Sequence, residues 1–322
     1  MCQYRKHTNL TAQNLFRLLI LFYVFLLPQK QNIYCQTQPD LAHYMAFNPL
    51  INTAAINDYD YFTAFLYGRR QWVSINGAPL KTGLELIQPF QNNSAGLSIS
   101  QESYGVHNKQ RILANYSHRV KLMRYHTLSF GLGGGAQIIS SNFTKIKPFD
   151  PDDEQFGYSK SVVSPDFSFG MKLKHKDYYV GIAIPSLIST EIVAYESEYT
   201  ASYHAMPQNW IYYLHGGYKY NFKYYEQYLQ ISSLVKIDVN SPVDADLNML
   251  YSHNKYFSMG ISYRTKREIL YFGQLQINER LKAGYCYHSN FNLNNAYLAG
   301  HELYVQYSHA IMRPLNIQSP RF

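Results

Sequence analysis

The chain of 322 residues carries 16% aromatic and only 16% charged side chains, including 32 tyrosines, and a formal net charge of +8. An ordinary soluble domain has about 25% charged residues. That profile argues against such a domain, and the spacing of the apolar residues becomes the question.

Residues 1–35 read as an export signal. Arg5, Lys6 and Arg17 form a positive n-region, and Leu18 to Leu27 form an apolar core. That core is too short for a membrane span, which takes roughly 20 apolar residues, and suits a cleaved signal peptide. Cleavage after Cys35 leaves Gln36 at the N-terminus; lipidation of Cys35 is the rival, disfavoured by the bulky Tyr34 before it. Removing the signal takes away Arg5, Lys6, Arg17 and Lys30 but no acidic residue, which halves the net charge of +8. So mild a charge argues against a nucleic-acid partner. Of the cysteines only Cys286 then remains, which excludes an internal disulfide and a thiolate metal cluster.

Residues 36–58 form an Asn/Pro-rich segment containing HYMAFNPLINTAAIN. It reads equally well as an irregular periplasmic lead-in or as a partial plug folded back into a lumen. From residue 59 onward the apolar residues recur at every second position. Val243, Ala245, Leu247, Met249 and Tyr251 alternate with Asp244, Asp246, Asn248, Leu250 and Ser252. Phe257, Met259, Ile261 and Tyr263 alternate in the same way with Ser258, Gly260, Ser262 and Arg264. In a strand such spacing puts one apolar row and one mostly polar row on opposite faces.

Such segments lie near 61–68, 81–88, 93–102, 109–120, 125–139, 163–172, 178–184, 208–221, 224–236, 242–253, 256–264, 268–277, 280–288 and 301–311. The connections are sorted. Those at 69–80, 140–162 and 185–207 are long, while 89–92 and the other alternate connections are tight. Outer-membrane barrels have an even number of roughly 10-residue alternating strands, short periplasmic turns and longer external loops. A soluble sandwich has no reason to sort its loops. The predicted fold is all-β: a transmembrane antiparallel up-and-down β-barrel of about 14 strands, over residues 59–322.

Few motifs suggest chemistry. Tyr-Ser-His occurs at Tyr116–His118, Tyr251–His253 and Tyr307–His309, expected at the periplasmic rim, where aromatic girdles sit. Adjacent strand residues point to opposite faces, so no such Ser-His pair acts as nucleophile and base. Asp150, Asp152, Asp153 and Glu154 are dense enough to suggest Ca²⁺ but lack the spacing and glycine of an EF-hand, so a solvated loop is expected. GLGGG at Gly131–Gly135 lacks the ending of a phosphate loop; its glycines are expected to mark bends or bulges. No catalytic, metal or cofactor site is expected.

Two stretches carry a family resemblance. Arg69, Gln71, Trp72, Gly77, Ala78 and Pro79 fit the form R-x-Q-W-x-x-x-x-G-A-P, and Tyr44, Met45, Asn48, Pro49 and Asn52 follow the order of YM-x-NP-x-x-x-NPA, with one residue more before Asn48 and one fewer after Pro49. With PDFSFG (Pro165–Gly170) and GIAIPSLI (Gly181–Ile188), the chain resembles the PorP/SprF family of outer-membrane proteins, associated with type IX secretion and gliding motility in Bacteroidetes. It departs from the family at Thr53, where a proline is usual, and lacks a glycine that usually follows.

The resemblance implies a non-enzymatic outer-membrane component that helps export or anchor surface proteins carrying a C-terminal sorting domain, such as gliding adhesins. It also implies a periplasmic, peptidoglycan-linked partner, besides the outer-membrane lipid. Asn48, Pro49, Asn52, Arg69, Gln71, Trp72, Gly77, Ala78 and Pro79 are the partner-contact candidates. Trp72 suits the membrane interface, and Arg69 a lipid phosphate or acidic loop. Loops 140–162 and 185–207 offer surface for cargo, and Lys172, Lys174 and Lys176 a periplasmic docking rim. The alternative is a channel or porin for small or hydrophobic solutes.

Overall fold

The computed structural model describes residues 41–145, 159–195, 198–204, 210–222, 227–238, 241–254, 256–265, 268–290 and 299–309. The export signal and the Asp150–Glu154 cluster lie outside the described residues. In chain order the strands are β1 (Phe62–Gln71), β2 (Leu80–Phe90), β3 (Asn93–Tyr104), β4 (His107–Met123), β5 (His126–Asn142), β6 (Ser159–Lys174), β7 (Tyr178–Ile184) and β8 (Ser189–Tyr195). They continue as β9 (Glu198–His204), β10 (Ile211–Asn221), β11 (Tyr228–Asp238), β12 (Asp244–His253), β13 (Phe257–Arg264), β14 (Glu268–Gln276), β15 (Leu281–Asn290) and β16 (Gly300–His309).

All but β8 and β9 close into one antiparallel barrel, in which β7 pairs with β10 and β1 pairs with β16. Each strand expected from the sequence is a strand of this barrel. Closure leaves no sheet edge, as a bilayer requires, because an unpaired amide in hydrocarbon has no water to bond. The start of β1 and the end of β16 share one end with the short turns, such as the one between β2 and β3.

Burial is inverted relative to a soluble protein. Leu66, Leu132, Val163, Val180 and Leu303 are exposed on the outer face, whereas Glu302, Asp166, Ser117 and Thr63 are buried within. Two details depart from the sequence reading. The connection 185–207 contains a separate two-stranded sheet, β8 with β9. Between β3 and β4 the chain turns tightly at Gly105 and Val106, so the sorting of loops is not strict at that position.

Residues 42–58 form three 3-10 turns, Ala42–Met45, Asn48–Leu50 and Thr53–Asp58. Ala42, Phe47, Ala54, Ala55 and Ile56 in this stretch are almost fully buried. Their partners are lumen-facing residues of strands all around the barrel, so the stretch runs inside it.

Candidate functional site: the occupied lumen

The lead-in enters the described part of the lumen toward the long-loop end. There the amides of Ala42 and His43 both donate to the Glu302 carboxylate at 2.9 Å, and His288 Nε2 lies 3.1 Å from the same group. The Tyr44 hydroxyl donates to Asp246 at 3.0 Å and accepts from Asn248 at 2.8 Å, while Arg264 Nε donates to Asp246 at 3.1 Å. Burial lowers the His43 pKa, and the nearby Glu302 only partly offsets it.

Farther along, the Phe47 ring stacks on Phe65 with centroids 4.1 Å apart. The Asn52 side chain makes four contacts of 3.3 Å or less. Its Oδ1 caps the next turn by accepting from the Ala54 amide at 2.9 Å. Its Nδ2 donates to the carbonyls of Met171 and Ile182 at 3.1 and 3.3 Å and lies 2.8 Å from His215 Nε2. A branched-amide side chain suits this place because it carries two donors and an acceptor in one plane.

At the short-turn end Asn57 donates to the carbonyls of Asn92 and Ser117, both at 3.1 Å, and accepts from Ser94. Asp58 then binds Lys172 at 2.5 Å and Lys174 at 2.9 Å. Burial alone would raise the Asp58 pKa, but the two ammonium groups outweigh it and hold the carboxyl at about 2.

The barrel wall is shaped to receive this stretch. A Cβ on Gly131 would run into the Ala54 backbone, and one on Gly170 into the Asn52 side chain. The β4–β5 register is regular through Gly131–Gly135. These glycines therefore mark no bulge, which corrects that part of the expectation; at Gly131 the missing side chain admits the lead-in.

The family-motif residues separate into two groups. Asn48, Pro49, Asn52 and Arg69 lie inside. The Asn48 Oδ1 accepts from Lys172 Nζ at 3.1 Å, and Pro49 sits in the first turn of the second 3-10 element. Arg69 is only 3% exposed, and its charge acts on Glu302, His43 and His288. It faces the lumen, which corrects the expectation that it meets lipid phosphate. Lys172 is likewise a lumen residue instead of a rim residue, held by Asp58 and Asn48.

Gln71, Trp72, Gly77, Ala78 and Pro79 shape the first loop. The Gln71 amide donates to the Pro79 carbonyl and the Trp72 amide to that of Ala299, while Ala78 donates to Ile75. Gly77 has φ +75°, and its carbonyl accepts from Gly105, whose Cα would stand 3.3 Å from an added Cβ. A side chain there would meet both a left-handed backbone and the neighbouring turn.

In the first two Tyr-Ser-His repeats the serines point inward and the histidines outward: Ser117 and Ser252 are buried, His118 and His253 exposed, while Ser308 and His309 of the third are both half-buried. Tyr116–His118 lies within β4 instead of at its end, paired with the start of β3.

The lead-in does not fill the lumen. A cavity of about 320 Å³ remains along β2–β6, lined by Lys81, Glu85, Glu102, Lys109, Arg111 and Asp166 among others. Arg111 and Asp166 form an ion pair at 2.5 Å.

Residues 33–307 match the type IX secretion system membrane protein PorP/SprF. The chain belongs to the PorP/SprF family. It is therefore an outer-membrane barrel of a secretion-system family, as the motifs at Asn48–Asn52 and Arg69–Pro79 implied. No curated protein matches its sequence. The CymD monoaromatic hydrocarbon channel has a similar fold, with a TM-score of 0.52 at 9% identity over 85% of this chain and 94% of that one. Omp33, an outer-membrane protein of Acinetobacter baumannii, gives 0.46 at 6% identity, over 77% of this chain and 99% of that one. A Pseudomonas aeruginosa FadL homologue gives 0.45 at 12%, over 80% and 92%.

The sequence reading did not find the inner partners of the motif residues. Glu302, Asp246 and His215 show only as polar positions within alternating strands, Lys172 stood out as a rim residue, and nothing local marks any of them as anchors for a segment so far away in the chain.

Proposed function

We propose that this barrel serves type IX secretion by supporting the export or surface anchoring of proteins with a C-terminal sorting domain, and that it is neither an enzyme nor a solute channel. Family membership supports a part in the secretion system. The observation that favours a supporting role over conduction is the lead-in, bonded to the wall at Glu302, Asp246, His215, Ser117 and Lys172. Solute flow would have to pass this stretch or displace it. The partners are a sorting-domain protein at the long-loop end and a peptidoglycan-linked component in the periplasm.

Deletion in the native bacterium, followed by quantitative proteomics of the cell surface and culture fluid, tests this. The expected result is loss of one or more sorting-domain proteins from the surface while other barrels stay at normal abundance. An unchanged surface with failed uptake of a nutrient would replace the proposal with the channel reading.

A further inference from the structure

At the short-turn end β4 and β5 outlast their neighbour. Each has 17 residues, whereas β3 has 12. β3 begins at Asn93, paired with His118, and the last bond across that seam runs from the Arg119 amide to the Asn92 carbonyl at 2.8 Å. β4 then continues with β5 alone, through the pairs Val120–Leu128 and Lys121–Thr127. Backbone groups alternate between the two sides of an antiparallel strand. The amide and carbonyl of Lys121 therefore point the same way as those of Arg119, where no strand lies among the described residues. A register shift between Lys121 and Met123 ends the regular edge there. Residues 120–125 are all exposed. An open edge has no place in hydrocarbon, so this one stands in water, outside the bilayer core.

We infer that this edge takes an extended acidic segment of a periplasmic partner as an added strand. Arg119 and Lys121 continue the inward row of Leu113, Asn115 and Ser117, and Val120 continues the outward row of Ile112 and Tyr116. A strand laid beside them sets every second side chain against Arg119 and Lys121, and the others beside Val120. Carboxylates alternating with aliphatic residues match both rows. Among the described residues the cations here have no carboxylate partner. Arg119 donates to the Asn57 carbonyl at 3.3 Å, Arg124 lies 5.3 Å from the Tyr125 ring centroid, and Lys121 makes no side-chain bond. A second copy of the chain does not suit the edge, because two-fold pairing would bring Arg119 and Lys121 of both copies together. A phospholipid headgroup can meet the cationic side chains but has no row of amides and carbonyls to match the Lys121 backbone. From the proposed function the inference takes only the periplasmic partner. Its test uses purified protein, so it can fail while the secretion phenotype stands, and the reverse.

The experiment measures binding of a labelled, end-blocked Glu-Val-Glu-Val-Glu-Val peptide to the full chain in detergent micelles. The matching Lys-Val peptide is the control, and heat-modifiable gel migration checks folding. Saturable binding of the acidic peptide is expected. N-methylation of its glutamates should abolish binding and N-methylation of its valines should not, because in an antiparallel addition only the glutamate amides face β4. Lys121→Pro removes the edge amide and should weaken binding about tenfold. Proline is tolerated where the N–H of an edge strand faces solvent, so this variant should fold. Lys121→Glu keeps that amide, reverses the charge and should also weaken binding about tenfold. Absence of saturable binding, or binding that survives N-methylation of the glutamates, overturns the inference. So does binding indifferent to both Lys121 variants. Preference for phosphatidylglycerol in nanodiscs, lost in Lys121→Glu without peptide binding, would overturn it in favour of a lipid headgroup.

Discussion

The two halves of the lumen wall are made of the same alternating strands, yet they create opposite surroundings. From β7 through β16 to β1 the inward positions include Tyr213, Leu234, Leu270, Phe272, Tyr304 and Phe65, and they close on Tyr44, Met45 and Phe47. Along β2–β6 the inward positions include Glu85, Glu102, Arg111, Gln137 and Asp166, and a cavity is left. Apolar groups turned into a wet lumen need cover, and the lead-in supplies it. Charged and amide groups need partners instead: Glu302, Asp246 and Asn248 find them in the lead-in, and Arg111 and Asp166 in each other. The apolar half thus covers the first turns of the lead-in, the third turn lies against β4–β6 at Ser117, Gly131 and Gly170, and space remains among the charged positions of β2–β6.

The contrast can be tested by truncating side chains on each side. Phe47→Ala should cost about 3–5 kcal/mol, the range for a fully buried aromatic ring. Urea unfolding of the folded barrel in micelles would measure it, and a loss under about 1 kcal/mol would mean that the apolar half does not depend on the lead-in. Asn52→Ala removes a turn cap and leaves two strand carbonyls without their donor, so a loss of about 2–3 kcal/mol is expected in the same assay. Protease cleavage within residues 41–58 should rise in parallel, and unchanged resistance would argue against Asn52 as the central anchor.

Asp58→Asn should cost less, roughly 1–2 kcal/mol, because Lys174 stays solvated and the asparagine amide oxygen, with Asn48, still offers Lys172 an acceptor. Its pH dependence has a definite sign. The carboxyl is held at about 2 in the folded chain against an ordinary value of 3.8. Its stabilising contribution is therefore complete above the ordinary value and is lost as the pH falls through about 2. The gap between the normal chain and Asp58→Asn should close from pH 5 to pH 2; a gap that widens would refute the Lys172–Asp58–Lys174 assignment. The smallest effect belongs to the cavity half. Ser100→Ala should change stability by no more than about 0.5 kcal/mol, and a larger loss would show that the polar wall is as tightly integrated as the apolar one.

Much of the barrel was legible because the bilayer imposes a period of two on every strand. Met249, Met259 and Leu303 must face hydrocarbon, and their alternation with Asn248, Ser258 and Glu302 marks the face before any partner is known. The candidate site was legible only in part. Asn52 and Arg69 stood out by resemblance, but their surroundings did not. The Ala42 amide and the Glu302 carboxylate that bind each other are 260 residues apart. Gly131 reads locally as a strand breaker, because the backbone that occupies its missing side-chain volume belongs to Ala54.

The sequence by itself determined the strand segments, their inward and outward faces, and the family, since each of these is written in spacing or in a short run of residues. Tertiary structure decided that residues 41–58 lie within the barrel, that Arg69 and Lys172 face the lumen, and that a cavity remains beside the lead-in. Those outcomes depend on which side chains meet once the ring of strands has closed, and closure joins positions that no local period relates.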